Sequence, residues 1–332
     1  MSDQALCLFA LHGSDELGSA VAAALGQRLA AHEEREFEDG EHKARPLETV
    51  RGADVFVLHG LHGGPQQSAN DKLCRLLFFI GALKDAGAAR VTALTPYLCY
   101  ARKDRRTKPD DPVTTRYVAS LFEAVRTDAV VTLDVHNPAA FENAFRCQTV
   151  ALTAAPLFVD YVKGLHAKGL ADAKLCVVSP DPGGAKRADL LHEALEGALG
   201  RSLGKGFADK RRSAGVVSGE LFVGEVEGAT ALVIDDLIST GGTLVRAARA
   251  ARRAGAKRVL ALVTHGLFMP GAEIAVMDPA IDRVVVTNSV PAFRLGDAAA
   301  RAKVEILPVA PLLAEAVRRL HAGGTLSDLL VF

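Results

Sequence analysis

The sequence predicts an α/β protein of two halves, each with a mostly parallel sheet flanked by helices. Short apolar runs alternate along the chain with longer amphipathic runs, which is typical of strands followed by helices. The short runs are apolar throughout, as expected for strands that are covered on both faces. The alternation pauses near Phe145–Val162 and then begins again, so a second half follows the first.

In the first half, each predicted strand is a short apolar run, and each predicted helix carries apolar residues at helical spacing. The predicted strands are Leu6–Leu11, Val55–Leu58, Arg90–Thr95 and Ala129–Leu133. The predicted helices are Asp15–Leu29, Lys72–Ala86 and Thr114–Ala124.

The second half repeats this order and ends in a further helix. Its predicted strands are Leu175–Ser179, Ala231–Ile234, Arg258–Thr264 and Arg283–Thr287. Its predicted helices are Ala185–Leu199, Gly242–Ala254, a segment near Pro270–Met277, and the strongly amphipathic Pro311–Ala322.

Composition excludes several classes of function. Lys and Arg number 39, as do Asp and Glu, so the net charge of +0 gives no field that favours nucleic acid or an anionic membrane. Aromatic residues make up only 5% and Trp is absent, which argues against a base-stacking surface. No apolar run reaches the roughly 20 residues that span a bilayer. The five cysteines lack metal-ligand spacing and indicate reduced core residues, so we predict a cytoplasmic protein.

The most informative motif is the loop that follows the predicted strand Ala231–Ile234. Asp235 and Asp236 come first, and small or hydroxylated residues lead into the next helix: Ser239, Thr240, Gly241, Gly242 and Thr243. Ligands of open α/β sheets bind beyond the carboxyl ends of the strands, and a helix N-terminus favours an anion. The alternative is a helix cap at the acids followed by a plain turn. Acids, hydroxyls and glycines occurring together favour a phosphate monoester with a ribose hydroxyl or hydrated Mg²⁺ beside it.

Three other polar segments also follow predicted strands. Arg102, Lys103 and Asp104 open a basic run that suits phosphate, and a solvated basic loop is the alternative. His136 follows the strand Ala129–Leu133, where a histidine is more often structural than a metal ligand. Asp181 precedes Gly183 and Gly184, which suit a diphosphate, although a capped turn has the same composition.

A further basic segment, Asp209-Lys-Arg-Arg212, precedes the small residues of Ser213–Gly219. The composition of Ser213–Gly219 predicts a mobile segment, and a cationic lid stabilises charge on a transferring phosphoryl group. A basic exposed hairpin is the alternative.

Taken together, these segments resemble those of the ribose-phosphate pyrophosphokinases, or phosphoribosyl diphosphate synthetases. The loop Asp235–Thr243 resembles the phosphoribosyl-diphosphate-binding motif of the type I phosphoribosyltransferase fold. The other matching segments are FEDGE at Phe37–Glu41, Asn70–Leu73, Pro96–Arg106, Asp209–Arg212, Thr264–Gly266 and Pro308–Ala322. Because these segments span nearly the whole chain in order, the resemblance is more specific than any one motif.

The resemblance implies two phosphoribosyltransferase-like domains. We predict an N-terminal domain over residues 1–152 on the ATP side, which also makes subunit contacts, and a C-terminal domain over residues 153–308 with the ribose 5-phosphate site. Residues 309–332 are predicted to form a C-terminal helix that packs back on the first domain.

The same resemblance implies roles for individual residues. The implied ATP-binding residues, with adenine held against a neighbouring subunit, are Phe37, Asp39, Glu41, Arg102, Lys103, Asp104 and His136. Lys210 and Arg212 are the implied catalytic pair, and Asp235 is a candidate for positioning or deprotonating the sugar hydroxyl. His136 and Asp181 are the implied ligands of Mg²⁺.

The implied activity is transfer of the β,γ-diphosphoryl group of ATP to the 1-hydroxyl of ribose 5-phosphate, with AMP released. A homo-oligomer, either a dimer or a hexamer, is implied as well. Two alternatives remain at this point: a phosphoribosyltransferase that consumes phosphoribosyl diphosphate, and a non-catalytic regulatory paralogue. Lys103 and the stretch Asn137–Asn143 differ from the usual residues of the family.

Overall fold

The structure is a computed structural model that describes residues 4–165, 174–213 and 216–330, with the side chains of residues 209–221 left out. The strands of the described residues are β1 (Leu6–Ala10), β2 (His32–Glu36), β3 (His42–Pro46), β4 (Asp54–Leu58), β5 (Arg90–Thr95), β6 (Ala129–Leu133), β7 (Gln148–Leu152), β8 (Leu175–Ser179), β9 (Gly204–Ser213), β10 (Val216–Gly224), β11 (Thr230–Ile238), β12 (Arg258–Gly266), β13 (Arg283–Thr287) and β14 (Val304–Leu307).

The helices of the described residues are α1 (Asp15–Leu25), α2 (Ala69–Asp85), α3 (Thr114–Ala124), α4 (Pro138–Ala144), α5 (Ala155–Leu165), α6 (Ala185–Leu199), α7 (Gly242–Arg253), α8 (Ala272–Val276), α9 (Ala298–Ala302) and α10 (Ala310–Ala322). In the part of the chain that is described, no helix combines the length and the apolar character needed to cross a membrane.

The first compact unit consists of Met1–Thr153 together with Val309–Phe332. Its main sheet has the order β1-β4-β5-β6-β7, and every neighbouring pair is parallel. β4, β5 and β6 are buried almost end to end, and α1 and α2 pack against the sheet. β2 and β3 form a separate antiparallel hairpin, so the segment Phe37–Glu41 lies at the tip of that hairpin and not on the main sheet.

The second compact unit is Ala154–Pro308. Its sheet has the order β10-β9-β8-β11-β12-β13-β14, parallel throughout except where β10 runs antiparallel to β9. β8 and β11 are central, and α6 and α7 pack on them. Because parallel strands end on the same edge, the segments after β8 and β11 are neighbours.

The predicted fold class of mostly parallel sheets flanked by helices is confirmed, and the main predicted strands are present. One boundary differs at the important loop. β11 continues to Ile238, beyond the predicted end at Ile234, because Leu237 and Ile238 pair with the extended end of β12. Asp235 and Asp236 therefore lie on a strand rather than in a loop.

Two further differences have local causes. α1 ends at Leu25 instead of Leu29 because Gly26 takes a positive φ of 73° and its N–H donates to carbonyls of the last turn. The hairpin β2–β3 was not predicted, since its strands are rich in charged residues and lack the apolar run that marks a buried strand.

The C-terminal segment is tied to the first unit by a buried carboxylate. Asp54, on β4, has a side chain only 1% exposed and accepts hydrogen bonds from Arg90 Nε at 2.7 Å and from His321 Nδ1 at 2.8 Å. Arg90 also donates to the carbonyl of Leu320 at 2.9 Å. α10 packs along α1, so Asp54 joins the sheet to the end of α10.

We expect Asp54→Ala to lower the free energy of unfolding by about 2–3 kcal/mol, because Arg90 and His321 lose a buried acceptor. Urea denaturation measures the change. Asp85→Ala is the matched control, since its ion pair with Arg126 is exposed and such pairs contribute little. Equal losses in the two variants would contradict the importance of the buried contact.

Candidate functional site

The carboxyl edge of the second sheet brings three acidic residues together, and two of them face one arginine. Asp235 and Asp236 lie near the end of β11, and Asp181 follows β8. Arg187 Nη1, from the first turns of α6, is 3.8 Å from Asp235 Oδ1 and 3.5 Å from Asp236 Oδ1. The side chains of Asp235 and Asp236 are only 17% and 6% exposed, so much of this charge is withdrawn from water.

Burial and the neighbouring charge of Asp236 raise the pKa of Asp235 well above its ordinary value. Arg187 acts in the opposite direction, whereas the charge of Asp181 adds to the rise. A carboxyl group in this state accepts a proton more readily than an exposed one, and it gains from a bound cation or a hydroxyl donor.

The segment after β11 is shaped by Gly241, which precedes α7 with a φ of 81°. A Cβ at this position would lie 2.4 Å from the Cβ of Ala275, so glycine is required by both conformation and space. The carbonyl of Ser239 accepts the N–H of Met269 at 3.0 Å, which holds the loop against the segment after β12.

Hydroxyl groups and a helix start complete this loop. No described side chain caps α7, so its first N–H groups face the loop. Thr243 Oγ1 accepts a hydrogen bond from Arg246 Nη2 at 3.0 Å. Thr240 and Gly242 are exposed, and Ser239 and Thr243 are partly so. The arrangement can bind an anion through backbone N–H groups, hydroxyls and a nearby guanidinium.

The segment after β8 is a tight turn stabilised by its own acid. Asp181 Oδ1 accepts the N–H of Gly184 at 3.1 Å, and the Ser179 hydroxyl donates to the Asp181 carbonyl at 2.7 Å. Gly183 is exposed, whereas Gly184 is buried. The N–H of Gly184 is thus engaged by Asp181, and the turn faces the acids of β11.

The basic segment Asp209–Arg212 forms the end of β9, which pairs with β10 as an antiparallel hairpin. Lys210 pairs with Glu220 and Arg212 with Val217 in the backbone register. The side chains of Lys210 and Arg212 lie outside the described ones, and so do residues 214 and 215 of the predicted lid Ser213–Gly219.

In the first unit, the structure brings Asp104 and the His136 segment together. Asn137, next to His136, donates from its side-chain amide to Asp104 Oδ2 at 2.6 Å. This contact joins the loops that follow β5 and β6, neighbouring parallel strands. His136 and Arg102 are exposed.

Lys103 is engaged within its own loop. Its Nζ donates to Asp111 Oδ2 at 2.6 Å, and the same oxygen accepts the N–H groups of Thr107 and Lys108 at 3.0 Å. These donors, Lys103 first, lower the pKa of Asp111, so the carboxylate is charged and closes the loop.

The hairpin tip holds the remaining predicted residues. Phe37 N–H donates to the Glu41 carbonyl at 2.7 Å, and the guanidinium of Arg35 lies 4.9 Å from the centre of the Phe37 ring. Asp39 and Glu41 are exposed, and Phe37 is partly buried.

Two contacts in these sites were missed by sequence reasoning. Arg187 was given no role, although a basic residue soon after a Gly-Gly turn is a usable signal for anionic surroundings. Asn137 belongs to a stretch that differs from the usual residues of the family. Its hydrogen bond to Asp104 joins two distant parts of the sequence, so no local pattern predicts it.

Comparison with known proteins covers both units. Residues 6–125 match the family model described as the N-terminal domain of ribose phosphate pyrophosphokinase, and residues 218–331 match the phosphoribosyl synthetase-associated domain. The chain is 37% identical over 325 residues to a ribose-phosphate pyrophosphokinase of Caldanaerobacter subterraneus, covering 98% of this chain and 97% of the relative. It is 35% identical over 331 residues to ribose-phosphate pyrophosphokinase 1 of Streptococcus pneumoniae, covering 99% and 98%.

A solved structure is also similar over its full length. The crystal structure of phosphoribosylpyrophosphate synthetase from Mycobacterium smegmatis matches with a TM-score of 0.83 and 32% identity, covering 97% of this chain and 100% of that one. The likeness is thus not confined to the loop after β11.

We expect Gly241→Ala to lower the free energy of unfolding by about 2–4 kcal/mol, because a disfavoured backbone conformation and a clash with Ala275 add together. Gly228→Ala is the control, since Gly228 has a similar φ of 70° but open space around it. Chemical denaturation of both variants isolates the clash. Equal losses would show that the contact with Ala275 is unimportant.

We expect Asp235→Asn to raise the stability of the ligand-free protein at pH 7 by on the order of 1 kcal/mol. The folded state binds the Asp235 proton more tightly than the unfolded chain, so wild-type stability falls as pH rises above about 4 toward the raised pKa. The advantage of the variant should therefore shrink as pH is lowered.

Denaturation curves at pH 7 and pH 4.5 measure this effect. Arg187→Gln is the opposing variant and should destabilise the protein at pH 7, because it removes the cation beside both acids. A variant Asp235→Asn that is less stable than the wild type at pH 7 would refute the argument.

Proposed function

We propose, from the premise that this chain belongs to the family of ribose-phosphate pyrophosphokinases, that it catalyses diphosphoryl transfer from ATP to ribose 5-phosphate. The products are phosphoribosyl diphosphate and AMP. The observation that carries the proposal is the likeness to ribose-phosphate pyrophosphokinases over 98% of the chain, through both units. The same likeness to a solved synthetase supports the phosphoribosyltransferase-like fold of each unit.

Ribose 5-phosphate is assigned to the segment after β11. In the proposal, the 5-phosphate is bound by the loop that precedes α7, with its hydroxyls and backbone N–H groups: Ser239, Thr240, Gly241, Gly242 and Thr243. Asp235 and Asp236 face the ribose hydroxyls. The tight packing of Gly241 on Ala275 supports a loop that is preorganised for its ligand.

ATP is assigned to residues of the first unit. Its proposed contacts are Phe37, Asp39, Glu41, Arg102, Lys103, Asp104 and His136. The ion pair between Lys103 and Asp111 holds this loop before ATP binds, and the amide of Asn137 orients Asp104. Because Lys103 is already paired, its part in ATP binding is to shape the loop and contribute charge.

The acidic residues of the second unit fit a hard divalent cation. Mg²⁺ prefers oxygen ligands and keeps several waters, and Asp235, Asp236 and Asp181 offer carboxylate oxygens beside a single described arginine. The raised pKa of Asp235 reflects its burial and the neighbouring charge of Asp236, and a bound cation would relieve this repulsion. We assign Mg²⁺ ligation to Asp181 and, in the first unit, to His136; when bound, Mg²⁺ neutralises charge on the polyphosphate.

The proposed reaction needs no covalent intermediate on the protein. The 1-hydroxyl oxygen of ribose 5-phosphate attacks the β-phosphorus of ATP, the bond to the bridging oxygen breaks, and AMP leaves. Asp235 accepts or directs the hydroxyl proton, a role that suits a carboxylate with a raised pKa. Lys210 and Arg212 stabilise the charge on the transferring group.

The adenine segment at the hairpin tip suggests a second copy of the chain, because the resemblance to the family implies that adenine is held between subunits. A homo-oligomer, a dimer or a hexamer, is therefore part of the proposal. Light scattering of an active preparation tests it, and an active monomer would refute it.

We expect the purified chain to release AMP from ATP and ribose 5-phosphate when Mg²⁺ is present. Lys210→Ala should lower kcat/KM at least about a hundredfold, because one charge on the transition state is lost. Lys205→Ala is the matched control on the same strand, with an exposed side chain paired to Asp189, and should retain near wild-type activity. A coupled assay for AMP measures both variants.

Other outcomes separate the alternatives. Pyrophosphate release that depends on a nucleobase, without AMP, would indicate a phosphoribosyltransferase. A folded chain that forms neither product would contradict the catalytic proposal.

A further inference from the structure

Two histidines and a glutamate converge beside strand β2, and one of the histidines comes from the loop after β1. His32 and Glu34 lie on β2 with one residue between them, so their side chains share a face of the strand. His12 comes from the loop between β1 and α1, and its backbone N–H donates to Glu34 Oε1 at 2.7 Å. We call His12, His32 and Glu34 the histidine–glutamate cluster.

The donor atoms of the cluster have the spacing of metal ligands. Glu34 Oε1 lies 3.0 Å from His32 Nε2 and 3.6 Å from His12 Nδ1, and one ligand atom from each residue falls within 4.8 Å of the others. Metal–ligand bonds of roughly 2.0–2.2 Å in a tetrahedral site place the ligands a little over 3 Å apart. Small side-chain adjustments would therefore bring all three donors onto one ion.

The cluster is buried at Glu34, nearly buried at His32 and open to water at His12. Glu34 is 1% exposed, His32 is 11% and His12 is 58% exposed. Water can therefore reach the cluster beside His12 and supply a fourth ligand, as in zinc sites with three protein ligands.

One carboxylate oxygen of the cluster lacks a hydrogen bond. Glu34 Oε2 is buried and has no hydrogen-bond partner among the described residues. Arg75 Nη1 lies 4.0 Å from it, beyond hydrogen-bond reach, while Nη2 of the same arginine donates to Glu36 at 2.8 Å. A buried carboxylate oxygen without a hydrogen bond is costly, and a cation bound by the same carboxylate through Oε1 would offset part of that cost.

A plain hydrogen-bonded pair of His32 and Glu34 explains only part of this arrangement. It requires neither the third donor of His12 nor an Oε2 that accepts no hydrogen bond. We propose that the histidine–glutamate cluster binds one first-row divalent transition metal ion, of which Zn²⁺ is the best match.

Two imidazoles and one carboxylate favour such ions over Mg²⁺ or Ca²⁺, whose sites are built mainly from oxygen ligands. The nearby Arg75 weakens the site without filling it, since its guanidinium pairs with Glu36. The bound ion ties the loop after β1 to the hairpin whose tip is Phe37–Glu41. It therefore fixes the hairpin and is separate from the proposed Mg²⁺ ligands, so the inference does not rest on the proposed function.

Isothermal titration of the metal-free, full-length chain with Zn²⁺, in buffer without phosphate or substrates, tests the proposal. The wild type should bind an ion that His12→Asn loses or binds at least about tenfold more weakly. His12 is exposed, so its replacement leaves the fold intact. His42→Asn is the control, because His42 lies on β3 of the same hairpin but outside the cluster.

Co²⁺ provides a second measurement through the visible absorption of a low-coordinate site, which should appear in the wild type and in His42→Asn but not in His12→Asn. Glu34→Gln and His32→Asn should also abolish it where they fold. Zn²⁺ binding that is unchanged in His12→Asn belongs to other residues and overturns the proposal, as does the absence of stoichiometric binding in the wild type.

Discussion

The concentration of negative charge at the carboxyl edge of the second sheet is the constraint on which the candidate site depends. β8 and β11 are parallel neighbours, so Asp181 and the pair Asp235–Asp236 must meet at one edge. Arg187 Nη1 lies 3.8 Å from Asp235 and 3.5 Å from Asp236, so one guanidinium faces both acids. Burial and the charge of Asp236 disfavour the ionised form of Asp235, which a bound cation or a sugar hydroxyl would favour.

The charged loops of the first unit are arranged differently from the acids of the second. The loops after β5 and β6 are largely paired within themselves, through Lys103 with Asp111 and through Asn137 with Asp104. Such contacts order a loop before a ligand arrives, which lowers the entropy cost of binding. The second unit therefore brings acidic groups close together, whereas the first unit holds its charged loops by contacts within the chain.

Backbone geometry supports both arrangements. The close approach of Gly241 to Ala275 fixes the path of the chain between the acids and α7, and the extension of β11 to Ile238 makes the acids part of a strand. At the hairpin, the histidine–glutamate cluster also fixes the path of the chain, because it joins the loop after β1 to β2. Rigid elements thus carry each group that is assigned to a ligand.

The sequence alone determined the parallel α/β units, and it predicts a phosphate site at Asp235–Thr243. Periodicity, strand ends, glycines and hydroxyls are local features, and they persist whatever the partners are. Charge-rich elements such as β2 escaped prediction because their pattern lacks an apolar run. Tertiary structure alone decided that Arg187 faces the acids, that Asn137 meets Asp104, and that His12 meets Glu34. Such pairings depend on which strands become neighbours and where they end, and neither is encoded in the residues that surround each partner.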